Sequence, residues 1–340
     1  MINSMNLLRK IWTCRQALTV ALAAALIVTA AQYSAGRTKA PKADQGIPDL
    51  GVGASLHGKQ VFPPDAPWNQ DISQAAIDPN SDKLIASIGA NTGLHADFGT
   101  TCNGAPNGVP YVVVSANQPK VPITFYENVR ESDPGPFPIP PGTQVQSGNK
   151  ASGDRHLIII DGDNWILYEM FGAYPLEDGK GWRCGSAAVF DLNKASTRRP
   201  RGWTSADAAG LPIFAGLVRY DEVFEQKQIT HALRFTIEAT RRAYVAPAGH
   251  CASTKNGTDL PPMGMRVRLK ANFNISGYPP EVQTILTALK RYGMIVADNG
   301  ANWFISGAPD PRWSDQNLHT FGQIKGLNFE VIKMDKIITN

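Results

Sequence analysis

The feature that most constrains this sequence is its punctuation. Runs rich in Val, Ile, Leu, Tyr, Trp and Phe recur between clusters of Gly, Pro, Asp and Asn, at 111–115, 123–126, 156–161, 165–171, 187–192, 229–237 and 265–269. Runs of that length and content are strand material, because β-branched and aromatic side chains pack well on a pleated surface. The best helical period is Glu281 to Tyr292, preceded by Pro279-Pro280 and closed by Gly293, with Val282, Ile285, Leu286 and Leu289 on one face. No fixed-period repeat follows Trp68, which disfavours solenoids and propellers. The expectation is a mostly β protein: a β-sandwich or jelly-roll-like domain with a peripheral C-terminal helix, with an α+β domain as the alternative. A chain of 340 residues, 43% hydrophobic and 18% charged, has the composition of a folded protein rather than of a disordered chain or a coiled coil.

The N-terminus reads as a targeting segment. Arg9, Lys10 and Arg15 precede an uncharged run from Ala17 to Ala31. That run is short for a bilayer span of about 20 residues, and Val28-Thr29-Ala30 offers the small residues a signal peptidase prefers. Residues 1–31 are therefore expected as a signal peptide, which places the mature chain in the periplasm or outside the cell and lets it touch a membrane only before cleavage. Of the 33 Lys and Arg, three fall in that segment, leaving 30 against 29 Asp and Glu. A near-neutral mature chain gives no electrostatic case for nucleic acid as a partner. Residues 32–66 are expected as a linker and 67–340 as one β-rich domain, with the Pro-rich stretch inside 133–150 either a long surface loop or a subdivision. Cys102, Cys184 and Cys251 remain after the signal segment, an odd number that allows at most one internal disulfide and does not say which two would pair.

The strongest local geometry lies between His156 and Glu169, where two apolar runs are split by Asp161-Gly162-Asp163-Asn164. This predicts a hairpin. A two- or four-residue loop pairs Ile160 with Trp165, Ile158 with Leu167 and His156 with Glu169, all on one face. A histidine opposite a carboxylate in apolar surroundings makes a proton-transfer pair, since burial disfavours either lone charge. A structural hydrogen bond at the hairpin end is the alternative. Asp154 and Arg155 add polar groups at the same end. His231 alternates onto the apolar side of 229–237 while Arg234 takes the other, so His231 either converges with His156 and Glu169 or is a satisfied core residue. Two histidines and a carboxylate also form a metal-ligand set, but no close-spaced His pair supports one, and neither metal nor cofactor is expected.

Met265 to Lys270 alternates strictly, projecting Arg266, Arg268 and Lys270 from one face. Such a face is usually solvated. With Arg234 alongside, it becomes a binding surface for the carboxylates of an acidic sugar polymer, because guanidinium groups hold carboxylates bidentately. The loop from Gly202 to Pro212 is dense in small residues around Trp203 and Asp207, and Asp207 either caps a turn or faces a cleft beside Trp203. Trp platforms with neighbouring Asp and Arg suit sugar rings, whose C–H faces pack on aromatics. The segments GWTSADAAGLPI (202–213), ITHALRFT (229–236) and PPMGMRVRLK (261–270), together with 288–300, resemble those of uncharacterised secreted bacterial proteins, a likeness that covers roughly residues 150–335 and implies no activity.

No Gly-x-Ser-x-Gly elbow, Walker loop, His-Glu-x-x-His or Cys-x-x-Cys is present. Three functions follow as expectations. The first is an exported enzyme acting on a polysaccharide or cell-surface glycan, as a glycoside hydrolase or a polysaccharide lyase. His156, Glu169, His231 and Asp207 are its candidate catalytic groups, and Arg234, Arg266, Arg268 and Trp203 its candidate substrate-binding groups. The second is a non-catalytic envelope protein that binds glycan on exposed Trp residues. The third is a metal-dependent hydrolase built on the two histidines and Glu169. Two facing carboxylates favour a hydrolase, and arginines clustered with histidines favour a lyase.

Overall fold

A computed structural model describes residues 46–339 except 149, 178, 196–199 and 201. The expected signal peptide lies outside the described residues. The protein is mostly β, with 25% strand against 16% helix, several sheets and no closed barrel among the described residues. Two sheets carry most of it. Numbered in chain order, their strands are β1 (Gly51–Val52), β2 (His95–Asp97), β3 (Tyr111–Val114), β4 (Leu157–Asp161), β5 (Ile166–Phe171), β6 (Ser186–Asp191), β7 (Leu233–Ile237), β8 (Arg266–Leu269), β9 (Met294–Asn299), β10 (Phe304–Ser306) and β11 (Phe329–Val331). The first sheet runs β1-β3-β4-β5-β6 and the second β11-β8-β9-β7-β10-β2. In the second sheet β9 is parallel to β7 and β10 to β2, while the remaining neighbours are antiparallel.

β4 is a continuous apolar run rather than an alternating one because both its faces are covered. Ile158 and Ile160 face the main core, which Leu167 of β5, Leu233, Phe235 and Ile237 of β7 and Val267 of β8 share, so the two sheets bury one common interior. Leu157 and Ile159 face a second cluster with Tyr168, Met170, Phe137, Ile139 and Val145. The Pro-rich stretch closes over this second cluster, with Phe137 bridged to Val121. Two helices flank the second sheet: α1 (Ser81–Ile88) lies against β11 and α2 (Pro280–Arg291) against β8. α2 buries Val282, Ile285, Leu286 and Leu289, the face its period predicts. No helix of the described residues is long and apolar enough to cross a membrane.

Residues 46–66, expected as the end of a linker, are built into this packing. β1 pairs with β3, and Leu56, Val61, Phe62 and Ala66 are buried in the main core. Val61 is held from the hairpin side, since the Trp165 indole N–H donates to its carbonyl at 3.0 Å and the Lys59 ammonium lies 3.9 Å from the Trp165 ring centre. Between the sheets runs the strap 211–218. Gly216 is required there, because a Cβ would meet the Arg234 backbone N and the Trp68 ring at 2.8 Å.

Candidate functional site

The site grows from a row of residues across the second sheet. β10 and β2 place Ser306 beside Asp97, and β7 runs past β10 so that Arg234 reaches Ser306, donating from Nη1 to Oγ at 2.6 Å. A bulge then adds a fourth member. Phe235 aligns with Val296, but Thr236 aligns with Asp298, so Ala297 is the extra residue. Without it Ala297 would stand beside Thr236; with it Asp298 takes that place, on the face Arg234 uses. The loop carrying Asp207 docks on the same bulge, the Ala209 N–H donating to the Ala297 carbonyl at 3.0 Å.

Asp207 closes the turn in its loop and, instead of facing a cleft, is buried in an ion pair. Its Oδ1 accepts the Ala209 N–H at 3.0 Å, and its Oδ2 accepts Arg234 Nε at 3.1 Å and Nη2 at 3.0 Å. The pair is buried, and Glu169 of the first sheet and His156, just before β4, act on Arg234 electrostatically. Asp154, just upstream of His156, is exposed, while Asp97, Asp298, Trp203 and His250 are half-buried, so the cluster runs from interior to solvent. His250 Nδ1 lies 2.7 Å from the Ala208 carbonyl, and its ring bears electrostatically on Asp207.

Four carboxyl groups (Asp97, Glu169, Asp207 and Asp298) lie within electrostatic reach of one guanidinium, and burial raises the pKa of each. Burial, with the Asp207 charge added, pushes Asp298 up to about 7 against the pull of Arg234. Burial pushes Glu169 up to about 8 and raises Asp97, with the Asp154 charge acting in the same direction on Asp97. Burial lowers His156 to about 4, Arg234 adding to the effect, so its imidazole is neutral at neutral pH. Its Nδ1 is buried without a hydrogen-bond partner among the described residues. Burial opposes the Arg234 charge too, but Asp207 and Asp298 outweigh it and hold its pKa above the ordinary value.

The structure departs from several sequence expectations. The hairpin forms, but two residues out of the expected register. Ile158 pairs with Glu169 and Ile160 with Leu167, so His156 does not face Glu169. The cause is Trp165, which adopts a left-handed backbone at φ 58° and joins the loop rather than the strand. Because the slip is even, Glu169 keeps the face expected for it. Its role differs, however: Oε2 accepts the Ile213 N–H at 2.9 Å and Oε1 the Phe214 N–H at 2.8 Å, anchoring the strap between the sheets.

His231 stands in another cluster. It precedes β7, with Nε2 3.1 Å from Glu222, which also accepts Arg219 at 2.5 Å. The set His156, Glu169 and His231 is therefore not assembled, and among the described residues no group of three or more His, Cys, Asp or Glu is placed to hold a metal ion. The two arginines of 265–270 are engaged internally. Arg266 donates to the carbonyls of Tyr292, Pro67 and Gln70, and Arg268 to Glu330 and the Ile72 carbonyl. Of the candidate binding residues, Arg234 belongs to the site, while Trp203 is half-buried in the loop that carries Asp207. Sequence reasoning missed Asp97, Ser306 and Asp298. The only signal for Asp298 was Asp-Asn-Gly, which reads as a turn.

Compared with models of known protein families, with curated proteins and with solved structures, the chain matches none.

Proposed function

We propose that this protein is an exported glycoside hydrolase whose site is the carboxylate cluster around Arg234. The observation that carries the reading is Asp298, a half-buried carboxyl group with its pKa pushed up to about 7, in electrostatic contact with the exposed Asp154. A carboxyl group that keeps its proton near neutrality beside a second carboxylate is the acid and base or nucleophile pairing by which glycosidic bonds are hydrolysed. In this reading Asp298 protonates the leaving oxygen and Asp154 or Asp97 activates water or attacks the sugar. Arg234, bonded to Asp207, tunes the proton distribution from beneath. The two larger sheets sharing one core support a sandwich-like fold.

The carboxylates favour hydrolysis over elimination, because Arg266 and Arg268 are engaged elsewhere and Arg234, beside His156, is held by Asp207 and Ser306. A binding protein with Trp platforms is less well supported, since Trp68, Trp165, Trp182, Trp303 and Trp313 are all buried. Export rests on the basic and apolar pattern of residues 9–31. The test is a panel of neutral and uronate-containing polysaccharides, read for new reducing ends and for the absorbance of unsaturated products. Reducing ends without the chromophore are expected. The chromophore would make the protein a lyase, and neither product on any polymer would remove the enzyme reading.

A further inference from the structure

Beside the carboxylate cluster lies a second group of residues that the proposed chemistry does not use. Trp182–Cys184 is a short strand between Ile123–Phe125 and Tyr174–Pro175. Trp182 and Cys184 point inward and Arg183 outward, directly across from Tyr174. The Arg183 guanidinium lies 5.1 Å from the Tyr174 ring centre and 5.8 Å from that of Tyr126, and the two rings are 6.4 Å apart. Tyr126 is 46% exposed. Arg183 itself is exposed and forms no ion pair with a carboxylate among the described residues.

This group is joined to the cluster by two hydrogen bonds. The Tyr126 hydroxyl donates to the Gly172 carbonyl at 3.1 Å, and the Gly172 N–H donates to the Asp154 carbonyl at 2.8 Å. Gly172 has φ 62°, and a Cβ there would collide with the Tyr126 hydroxyl, so the close approach depends on glycine. From the interior the Arg155 guanidinium lies 4.2 Å from the Tyr174 ring centre, while its Nε donates to the Ala173 carbonyl at 3.0 Å. The tyrosines are thus fixed in place, with one cation displayed above them.

We propose that Arg183, Tyr126 and Tyr174 form a subsite for a carboxylate-bearing sugar, which makes the substrate an acidic polysaccharide. The exposed Tyr126 ring offers surface for the C–H groups of a pyranose, Tyr174 holds the Arg183 guanidinium in place, and that guanidinium offers paired donors for a carboxylate. Glu127, exposed next to Tyr126, is the nearby negative charge and disfavours a ligand of higher anionic density, such as a sulfated chain. The subsite takes over the cationic role that the sequence suggested for Arg266 and Arg268. It rests on the reading of the adjoining cluster as a glycan-cleaving site.

The test is affinity electrophoresis in gels containing polygalacturonate, alginate, hyaluronan, carboxyl-reduced polygalacturonate or dextran sulfate, with Asp298→Asn as the protein so that no polymer is cut. At least one uronate polymer is expected to retard it. Carboxyl reduction, or Arg183→Gln in the same background, is expected to weaken that retardation about tenfold or more, with Arg183→Lys partly restoring it. Near-UV circular dichroism checks that each variant folds. Retardation that survives Arg183→Gln or carboxyl reduction, stronger retardation by dextran sulfate, or none by any polymer overturns the subsite. The cleavage reading fails separately, on products: a wild-type protein that binds uronate through Arg183 and cuts nothing keeps the subsite and loses the hydrolase.

Discussion

Glu169 sits in the middle of a charged cluster, yet both its oxygens accept main-chain N–H groups from the strap that separates the sheets. Its position is that of an anchor, and a substitution separates this role from catalysis. Glu169→Gln keeps the shape but turns an N–H donor toward Ile213 or Phe214, leaving a buried amide without an acceptor at a cost of about 1–3 kcal/mol. The expected outcome is a lower urea midpoint with hydrolysis retained in the folded protein; lost hydrolysis at unchanged stability would make Glu169 catalytic instead. That Glu169 faces inward was legible in the alternation of its strand. That its partners are the amides of residues 213 and 214 was not, because they approach from a loop more than forty positions away. Arg266 and Arg268 show the same limit: alternation places them on one face, but the carbonyls that bind them come from 67–72 and from the end of α2.

At the scale of elements, one joint sets the site and another the core. One is the bulge at Ala297, which turns Asp298 onto the face of Arg234. No Gly or Pro within 294–299 distinguishes it from a regular strand, and Asp298-Asn299-Gly300 has the composition of a turn. The other is the segment 46–66, whose Gly and Pro content suggested a linker, while Leu56, Val61 and Phe62 insert into the main core. Each of these buried side chains contributes about 1.5–3 kcal/mol relative to exposure, which is a large part of the stability of an ordinary domain. A chain starting at residue 46 is therefore expected to unfold cooperatively on heating, and one starting at residue 68 to show no cooperative transition by calorimetry. A stable fold from residue 68 onward would restore the linker reading. The hairpin of β4 and β5 was legible from Asp161-Gly162-Asp163-Asn164, and only its register was lost, to the left-handed backbone of Trp165.

Across the whole molecule the cluster links stability to pH. Glu169 and Asp298 have folded pKa values near 8 and 7, above the ordinary 4.5 and 3.8, chiefly because burial disfavours their charged forms. Their contribution is fully present below the ordinary values and is lost as the pH rises through the folded ones. His156 acts in the opposite sense: burial lowers it from 6.5 to about 4, so its contribution is present above 6.5 and lost as the pH falls through about 4. Two carboxyl groups outweigh one imidazole between these limits, and above 6.5 only the carboxyl groups act. The melting temperature is expected to be higher at about pH 5 than at about pH 8, and to flatten in a protein carrying Asp298→Asn and Glu169→Gln together. A profile that rises toward pH 8 would mean that these carboxyl groups ionise freely in the fold.

The same protonation state is what the proposed reaction needs, so the decisive experiment is the pH dependence of glycan hydrolysis in the wild type and in Asp298→Asn. The wild-type rate is expected to fall as the pH rises through about 7, where Asp298 loses its proton, and the variant to lose about 100-fold or more. A rate that climbs through that range, or a variant as active as the wild type, would contradict it.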